Sequence, residues 1–306
     1  MNPLKIGSHG FDWGARTYVM GILNVTPDSF SGDGILAKGD GVSGSLEQAG
    51  RFIAAKADIL DVGGESTRPG SQPLPLEEER QRVMPVIRAL AREFPDAIVS
   101  IDTYKAAIAQ EALESGATIV NDVWALRADP ELRDVVAKAK CPIILMHNRS
   151  NPASVEVRAQ LGNAYIGADY QDLIEDVKRE LMESVGLARA AGIPDGRIIL
   201  DPGIGFGKKV EQNLELINRV DEIRALGFPV MIGPSRKSFI GYTLDLPPEQ
   251  RFEGTAATVA VGIARGADIV RVHDVELLVR VVRMTDAIVR NKVACLVSLD
   301  RDPAGA

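Results

Sequence analysis

The chain has 306 residues, of which 45% are hydrophobic and 25% charged, and its formal net charge is −7 at pH 7. This composition supports a large core and argues against a disordered chain, and the acidic balance argues against nucleic-acid binding. The N-terminal segment lacks an apolar signal-peptide core, and no apolar run approaches the ~18 residues of a membrane span. We therefore expect a cytoplasmic protein with neither a membrane nor a nucleic-acid partner.

Eight short apolar runs, rich in β-branched residues, predict parallel strands that are buried on both faces. In chain order they lie near residues 17–25, 58–63, 97–102, 117–122, 142–147, 197–201, 229–233 and 267–273. Amphipathic patterns between or after them predict helices at residues 77–93, 107–115, 170–191, 210–226, 251–264 and 275–290. Strands that alternate with helices form βαβ units, and about eight in a row predict a closed (β/α)8 barrel. An open doubly wound sheet is the alternative architecture.

Three segments fall outside these units. Residues 7–16 predict a short hairpin that plugs the N-terminal mouth of the barrel, residues 31–45 a glycine-rich loop that orders on ligand binding, and residues 149–167 an irregular stretch. We therefore divide the chain into a plug, one barrel domain and a tail, at residues 1–16, 17–290 and 291–306.

Nearly every predicted strand ends at a polar residue. The residues at or just after these ends include Asn24, Asp61, Asp102, Asn121, His147, Asp201, Ser235 and Arg271. In a barrel of parallel strands these ends converge on one mouth, where barrel enzymes place their active sites. A single strand-end aspartate often caps the next helix or turn. Because the pattern repeats at about eight strands, it predicts one shared site.

The polar side chains of this mouth suggest two sub-sites. Arg68, Arg271 and His273, together with Asn24, suit an oxyanion such as phosphate or pyrophosphate, because guanidinium groups match its geometry. An asparagine oxygen beside a phosphate also suits Mg²⁺, which prefers hard oxygen ligands.

The second sub-site suits a flat heterocycle with several donors and acceptors. Its predicted residues are Asp102, Asn121, Asp201 and Lys237. Buried carboxylates accept N–H bonds from an amino-pyrimidinone, and a lysine donates to a ring carbonyl or nitrogen. No Ser/His/Asp triad stands out in the sequence, and His147 is expected to be structural. The expected chemistry is therefore positioning plus electrostatic help to an anionic leaving group.

Eight ordered motifs between about residues 18 and 275 resemble the dihydropteroate synthase family. Two of them are highly specific, GILNVTPDSFS at 21–31 and DVGGESTRPGS at 61–71. The others are SIDTYKA at 100–106, NDV at 121–123, LMH at 145–147, DPGIGFGK at 201–208, SRKSFIG at 235–241 and RVHDV at 271–275.

This resemblance implies a homodimeric (β/α)8 barrel that joins 6-hydroxymethyl-7,8-dihydropterin pyrophosphate to p-aminobenzoate and releases 7,8-dihydropteroate and pyrophosphate. It implies pterin contacts at Asp102, Asn121, Asp201 and Lys237. It implies pyrophosphate contacts at Arg68, Arg271 and His273, with Asn24 as the Mg²⁺ ligand. It implies a p-aminobenzoate site lined by Phe30, Thr67, Pro69 and Ser235.

The implied reaction is dissociative: pyrophosphate leaves first, and the electron-rich pterin stabilises the carbocation that the amine then attacks. Two alternatives remain open. A pterin-binding methyltransferase domain shares the barrel and the pterin aspartates, but it does not need STRPGS or RVHDV. A non-catalytic pterin-binding homologue would be expected to have lost groups such as Asn24, Arg68 and His273, which this sequence retains.

Overall fold

The computed structural model describes residues 1–25, 41–66, 71–151, 155–158 and 161–290. Its strands are β1 (Leu4–Ile6), β2 (His9–Phe11), β3 (Tyr18–Asn24), β4 (Ile59–Gly63), β5 (Ile98–Asp102), β6 (Ile119–Asp122), β7 (Ile143–Met146), β8 (Val155–Arg158), β9 (Gly162–Tyr165), β10 (Ile198–Asp201), β11 (Met231–Ile232) and β12 (Ile269–Val272). Its helices are α1 (Gly41–Ala54), α2 (Leu76–Glu93), α3 (Ala106–Glu114), α4 (Leu132–Ala139), α5 (Leu173–Ala190), α6 (Val210–Asn218), α7 (Val220–Arg224), α8 (Ser238–Leu244), α9 (Phe252–Ala264) and α10 (Val275–Arg290).

Eight parallel strands form the barrel, in the order β10-β7-β6-β5-β4-β3-β12-β11. A parallel bridge between Leu200 and Val230 joins the two edges of this sheet, and the Leu200 N–H donates to the Pro229 carbonyl at 2.9 Å. The predicted (β/α)8 barrel is therefore confirmed, and the open doubly wound sheet is wrong. Among the described residues, no helix combines the length and the apolar character that crossing a membrane requires.

The interior of the barrel changes from apolar to polar along the strands. One buried cluster combines Leu4, Ile6 and Phe11 of the β1–β2 hairpin with Met20, Ile59, Ile98, Ile119, Ile144, Ile199, Met231 and Ile269 of the barrel strands. The hairpin therefore covers the N-terminal end of the barrel. Side chains alternate between the two faces of a strand, so the next inward residue lies two positions later. At five strands this next residue is Asp61, Ser100, Asn121, Asp201 or Arg271.

The predicted strands lie within two or three residues of the observed ones, but other segments differ. The N-terminal hairpin spans residues 4–11 rather than 7–16, and the predicted irregular stretch contains the β8–β9 hairpin. The predicted helix at 210–226 is two helices, α6 and α7, which are separated at Arg219 where φ is −123°. Helices α4 and α8 were not predicted.

The predicted glycine-rich loop at 31–45 is wrong at its C-terminal end, because α1 begins at Gly41. Ala49 and Phe52 are buried on one face of this helix. Burial of an apolar face stabilises a helix more than its glycines destabilise it. Residues 26–40 and the predicted tail lie outside the described residues. The division of the chain at residues 16 and 290 stays a prediction.

Candidate active site at the carboxyl ends of the barrel strands

Arg271 of β12 lies at the centre of a charged network inside the barrel mouth. Its Nε donates to Asp61 Oδ2 and its Nη2 donates to Asp102 Oδ2, each at 2.6 Å. Asn121 Nδ2 donates to the same Asp61 oxygen at 3.1 Å. The Asp61 side chain is fully buried, whereas Arg271 remains 20% exposed. The structure therefore brings Arg271, assigned to the oxyanion sub-site, into contact with Asp102, assigned to the heterocycle sub-site.

Asp61 was noted in the sequence as a strand-end residue but was not assigned to the site. Its position two residues after the inward Ile59 is the signal that would have found it. In the described part of the chain, Asp61 Oδ1 and the Ser100 hydroxyl are buried without a hydrogen-bond partner. Buried polar atoms usually have partners, so the interior of this mouth retains hydrogen-bonding capacity for a ligand or water.

Burial and charge shift the pKa values of this network in opposite directions. Burial raises the pKa of Asp102 to about 7, and Arg271 opposes this shift while Asp61 adds to it. Although burial opposes it, the two carboxylates hold the pKa of Arg271 above its usual value. Arg271 therefore remains a cation, whereas Asp102 can gain or lose a proton near neutral pH. Perturbed pKa values of this kind are common at functional sites.

The second part of the mouth is formed by the turn that follows β10. Asp201 Oδ1 accepts a hydrogen bond from the Gly203 N–H at 2.7 Å. Lys237 donates to the Ile204 carbonyl, and its ammonium lies 4.2 Å from the centroid of the Phe206 ring. Burial raises the pKa of Asp201 and lowers the pKa of Lys237 to about 7, and the attraction between these two groups opposes both shifts. Asp201 and Lys237 therefore share one environment, as predicted for the heterocycle sub-site.

His273, Ser235 and Asn24 form a third group. His273 Nδ1 lies 3.0 Å from the Ser235 hydroxyl oxygen, which also accepts from the His273 backbone N–H at 3.2 Å. Asn24 Nδ2 lies 3.5 Å from His273 Nε2. Ser235, predicted to line the p-aminobenzoate site, therefore orients the imidazole that was predicted to bind pyrophosphate.

The donor set limits how a metal ion would be held. The described residues contain no group of three His, Cys, Asp or Glu side chains that could hold a metal. Asn24, which is partly buried at the end of β3, has an amide oxygen. Mg²⁺ commonly takes one or two protein oxygens and completes its shell with waters and substrate phosphates. Asn24 fits this kind of site, in which the protein alone does not form the cage.

A small apolar cluster at the mouth was not predicted. It consists of Val123, Met146 and Phe206, with Tyr104 and Trp124 packed against them. Val123 and Trp124 follow β6, and Met146 ends β7. In the sequence, this cluster was indicated by apolar residues at the C-terminal ends of strands, next to the polar site residues. Such a surface suits the faces of a flat ring, whose edges hydrogen-bond to polar neighbours.

Four predicted site residues, Phe30, Thr67, Arg68 and Pro69, lie outside the described residues. Arg236 of the SRKSFIG motif pairs with Asp274 through Nε at 2.9 Å. His147 is buried and lies 3.0 Å from Glu180 Oε2, in agreement with a structural role.

Comparison with known proteins identifies the family. A family model described as pterin binding enzyme matches residues 20–273. The chain is 48% identical to the dihydropteroate synthase of Clostridium beijerinckii, over 94% of this chain and 100% of the relative. It superposes on dihydropteroate synthase from Clostridium difficile, crystallised in the presence of pteroic acid, with a TM-score of 0.81 and 45% identity over 92% and 99% of the two chains. The Xanthomonas albilineans enzyme with 4-aminobenzoic acid gives a TM-score of 0.80 and 38% identity, over 89% and 93% of the chains.

The family match covers more than half of the chain, and the C. beijerinckii relative is matched over its whole length. The barrel fold and the order of the motifs agree with it. The chain belongs to the dihydropteroate synthase family of pterin-binding enzymes.

Proposed function

We propose that this protein condenses 6-hydroxymethyl-7,8-dihydropterin pyrophosphate with p-aminobenzoate to give 7,8-dihydropteroate and pyrophosphate. One observation supports it above the others: the barrel mouth holds two acceptors for a heterocycle, Asp102 with an 11% exposed side chain and the buried Asp201, close to the cation Arg271. A substrate that carries a ring at one end and an anionic leaving group at the other needs this combination.

The heterocycle would bind between the polar network and the apolar cluster. Asp102, Asn121 and Asp201 offer carboxylate and amide oxygens to the ring N–H groups, and Lys237 offers a donor. Lys237, which is partly buried, and Asp201, which is buried, interact electrostatically, and hydrogen bonds to such charged groups are strong. This arrangement favours a ring whose amino and carbonyl groups alternate along one edge.

The leaving group would lie toward Arg271 and His273. Arg271 keeps 20% of its side chain exposed, so its guanidinium can reach an anion without leaving the Asp61 carboxylate. His273, oriented by Ser235, offers a further N–H to the same anion. Arg68 is proposed as the second guanidinium of this sub-site on the resemblance alone. Preorganised cations of this kind stabilise negative charge as it develops on the leaving oxygen.

Mg²⁺ is the proposed cofactor, and Asn24 is the residue that would hold it. When bound, the ion neutralises part of the charge of the pyrophosphate. Asn24 would supply an amide oxygen, and its contact with His273 places it beside the proposed anion site. The p-aminobenzoate site is proposed next to Ser235, with Phe30, Thr67 and Pro69 as further lining residues on the resemblance alone.

A homodimer in the cytoplasm is the proposed form of the enzyme. The neighbouring helices α9 and α10 carry apolar side chains that are exposed in the single chain: Val261 at 43%, Leu277 at 48%, Met284 at 63% and Ile288 at 64%. Contiguous exposed apolar surface commonly marks a protein interface.

Genetic complementation tests the proposed function. The gene should restore growth without added folate products to a bacterial strain that lacks dihydropteroate synthase, and the Arg271→Ala variant should not. Growth with neither protein would support a non-catalytic homologue or a methyltransferase domain, provided that the wild-type protein accumulates in soluble form.

A further inference from the structure

A buried lysine at the end of the DPGIGFGK motif lies next to the proposed site without belonging to it. Lys208 is 3% exposed, although lysines are almost never fully buried unless they are paired. Its Nζ donates to the Gly203 carbonyl at 2.9 Å and to the Phe206 carbonyl at 3.0 Å. It also lies 3.1 Å from His147 Nδ1. An ammonium has three N–H donors, so these three acceptors use all of them.

The contact with Lys208 determines the tautomer of His147. Because Nδ1 accepts from the ammonium, the ring proton lies on Nε2, which is 3.0 Å from Glu180 Oε2 and donates to it. Burial and the charge of Lys208 lower the pKa of His147 to about 4, so the ring is neutral at pH 7. Glu180 also accepts from Arg149 Nε at 3.0 Å. Each polar group in this buried chain of contacts therefore has a partner.

The two carbonyls that Lys208 holds belong to the turn that follows Asp201. Gly203 donates its N–H to the Asp201 carboxylate and has a φ of 71°, and a Cβ at this position would lie 1.8 Å from the His147 carbonyl oxygen. The turn is therefore packed directly on His147. One of the two carbonyls between them, that of Ile204, accepts from Lys237. Two lysines thus hold three carbonyls of one turn.

We propose that Lys208 is a positioning residue for the heterocycle sub-site: it fixes the turn at residues 203–206 and thereby holds the Asp201 carboxylate in its binding geometry. Lys208 itself does not touch the substrate. Burial lowers the pKa of Lys208 to about 7, and the charge of Asp201 opposes this shift. In its protonated form the ammonium also acts on Asp201 directly, because it stabilises the ionised carboxylate in a buried environment. This inference rests on the proposed function, which assigns Asp201 to the pterin.

Calorimetric titration with 6-hydroxymethyl-7,8-dihydropterin tests the role of Lys208 without turnover, because this probe lacks the leaving group. Lys208→Met keeps the length of the side chain but removes its charged donors, and hydrogen bonds to charged groups are strong enough that we expect Kd to rise roughly 10- to 100-fold. Lys209→Met, the same change at the exposed neighbour, should leave Kd within about twofold.

A double-mutant cycle separates positioning from general damage to the fold. If Lys208 acts through Asp201, the Asp201→Asn/Lys208→Met double variant should bind the probe within about threefold of Asp201→Asn alone. If the factors by which the two single substitutions raise Kd multiply in the double variant, the proposed role of Lys208 is overturned. An unchanged Kd in Lys208→Met would overturn it as well. A wild-type protein that does not bind the probe would overturn the proposed function as well. If Lys208→Met does not fold, Lys208→Arg replaces it in the same cycle.

Nitrogen NMR of the wild-type protein tests the contact itself. The chain has three histidines, so the His147 signals can be assigned by comparison with variants of the other two. We expect an unprotonated Nδ1 and a protonated Nε2 at about pH 6, where Lys208 carries its proton and the imidazole is neutral. A protonated Nδ1 would overturn the inference, because Lys208 cannot then donate to it.

Discussion

Replacement of Arg271 by alanine tests the acid–arginine network at the centre of the proposed site. It removes two contacts of 2.6 Å and leaves Asp61, which is fully buried, and Asp102, which is 11% exposed, without their cation. Removing one partner of a buried ion pair typically costs about 3–5 kcal/mol, because the remaining charge is uncompensated. We therefore expect the free energy of unfolding to fall by about that amount at pH 7.

The stability that Arg271→Ala loses should depend on pH, and it should increase as the pH rises. Asp102 has a pKa of about 7 in the folded protein, well above its ordinary value of 3.8, so its contribution to stability declines as the pH rises between these values. In the wild-type protein this decline ends near pH 7. Without Arg271 the pKa of Asp102 should rise further, and the decline should continue above pH 7. The difference in stability between the two proteins should thus be larger at about pH 8.5 than at about pH 5.5.

Urea unfolding at three pH values measures both effects. Arg265→Ala is the matched control, because Arg265 is exposed and its guanidinium donates to the neutral Asn218 side chain; it should change stability by about 0.5 kcal/mol or less. A loss for Arg271→Ala no larger than this control, or one that does not grow with pH, would refute the reasoning. In the same variant kcat should fall roughly 10²- to 10³-fold, the usual effect of removing a donor that stabilises a developing negative charge.

Four further substitutions test other parts of the account. Asp201→Asn should weaken pterin binding by about 1.5–3 kcal/mol in calorimetry; an unchanged Kd would move the heterocycle elsewhere. Gly203→Ala should lower the unfolding free energy by more than about 1 kcal/mol, because of its positive φ and the nearby His147 carbonyl. Gly186→Ala, where a Cβ meets nothing within 4 Å, should instead raise it by about 0.5–1 kcal/mol in chemical denaturation. Ile288→Glu should shift the sedimentation coefficient from dimer to monomer, and an unaltered dimer would exclude this surface as the interface.

The barrel and much of its mouth were predictable because both depend on local pattern. Buried parallel strands are short apolar runs, and their ends are marked where the first polar residue appears, as at Asp102 and Asp201. The sequence does not contain the lateral register between strands, which decides which side chains meet. Arg271 and Asp102 were therefore assigned to different sub-sites, although they are in direct contact.

Contacts that depend on tertiary geometry were the ones that sequence reasoning missed. Lys208 was noted only as the last residue of the DPGIGFGK motif, because nothing in that motif indicates that its ammonium donates to carbonyls of the preceding turn. The φ of 56° at Arg236 and its pairing with Asp274 depend on the local backbone path, which the SRKSFIG motif does not indicate. Helix α1 was missed because its glycines suggested a loop, whereas burial of Phe52 decides its conformation.

Pyrophosphate release by the purified protein tests the central claim most directly. The protein would receive 6-hydroxymethyl-7,8-dihydropterin pyrophosphate, Mg²⁺ and p-aminobenzoate, with each omitted in turn. We predict release that requires p-aminobenzoate and is matched by formation of 7,8-dihydropteroate. Pterin binding without release of pyrophosphate, in the presence of all three components, would contradict the proposed synthase activity.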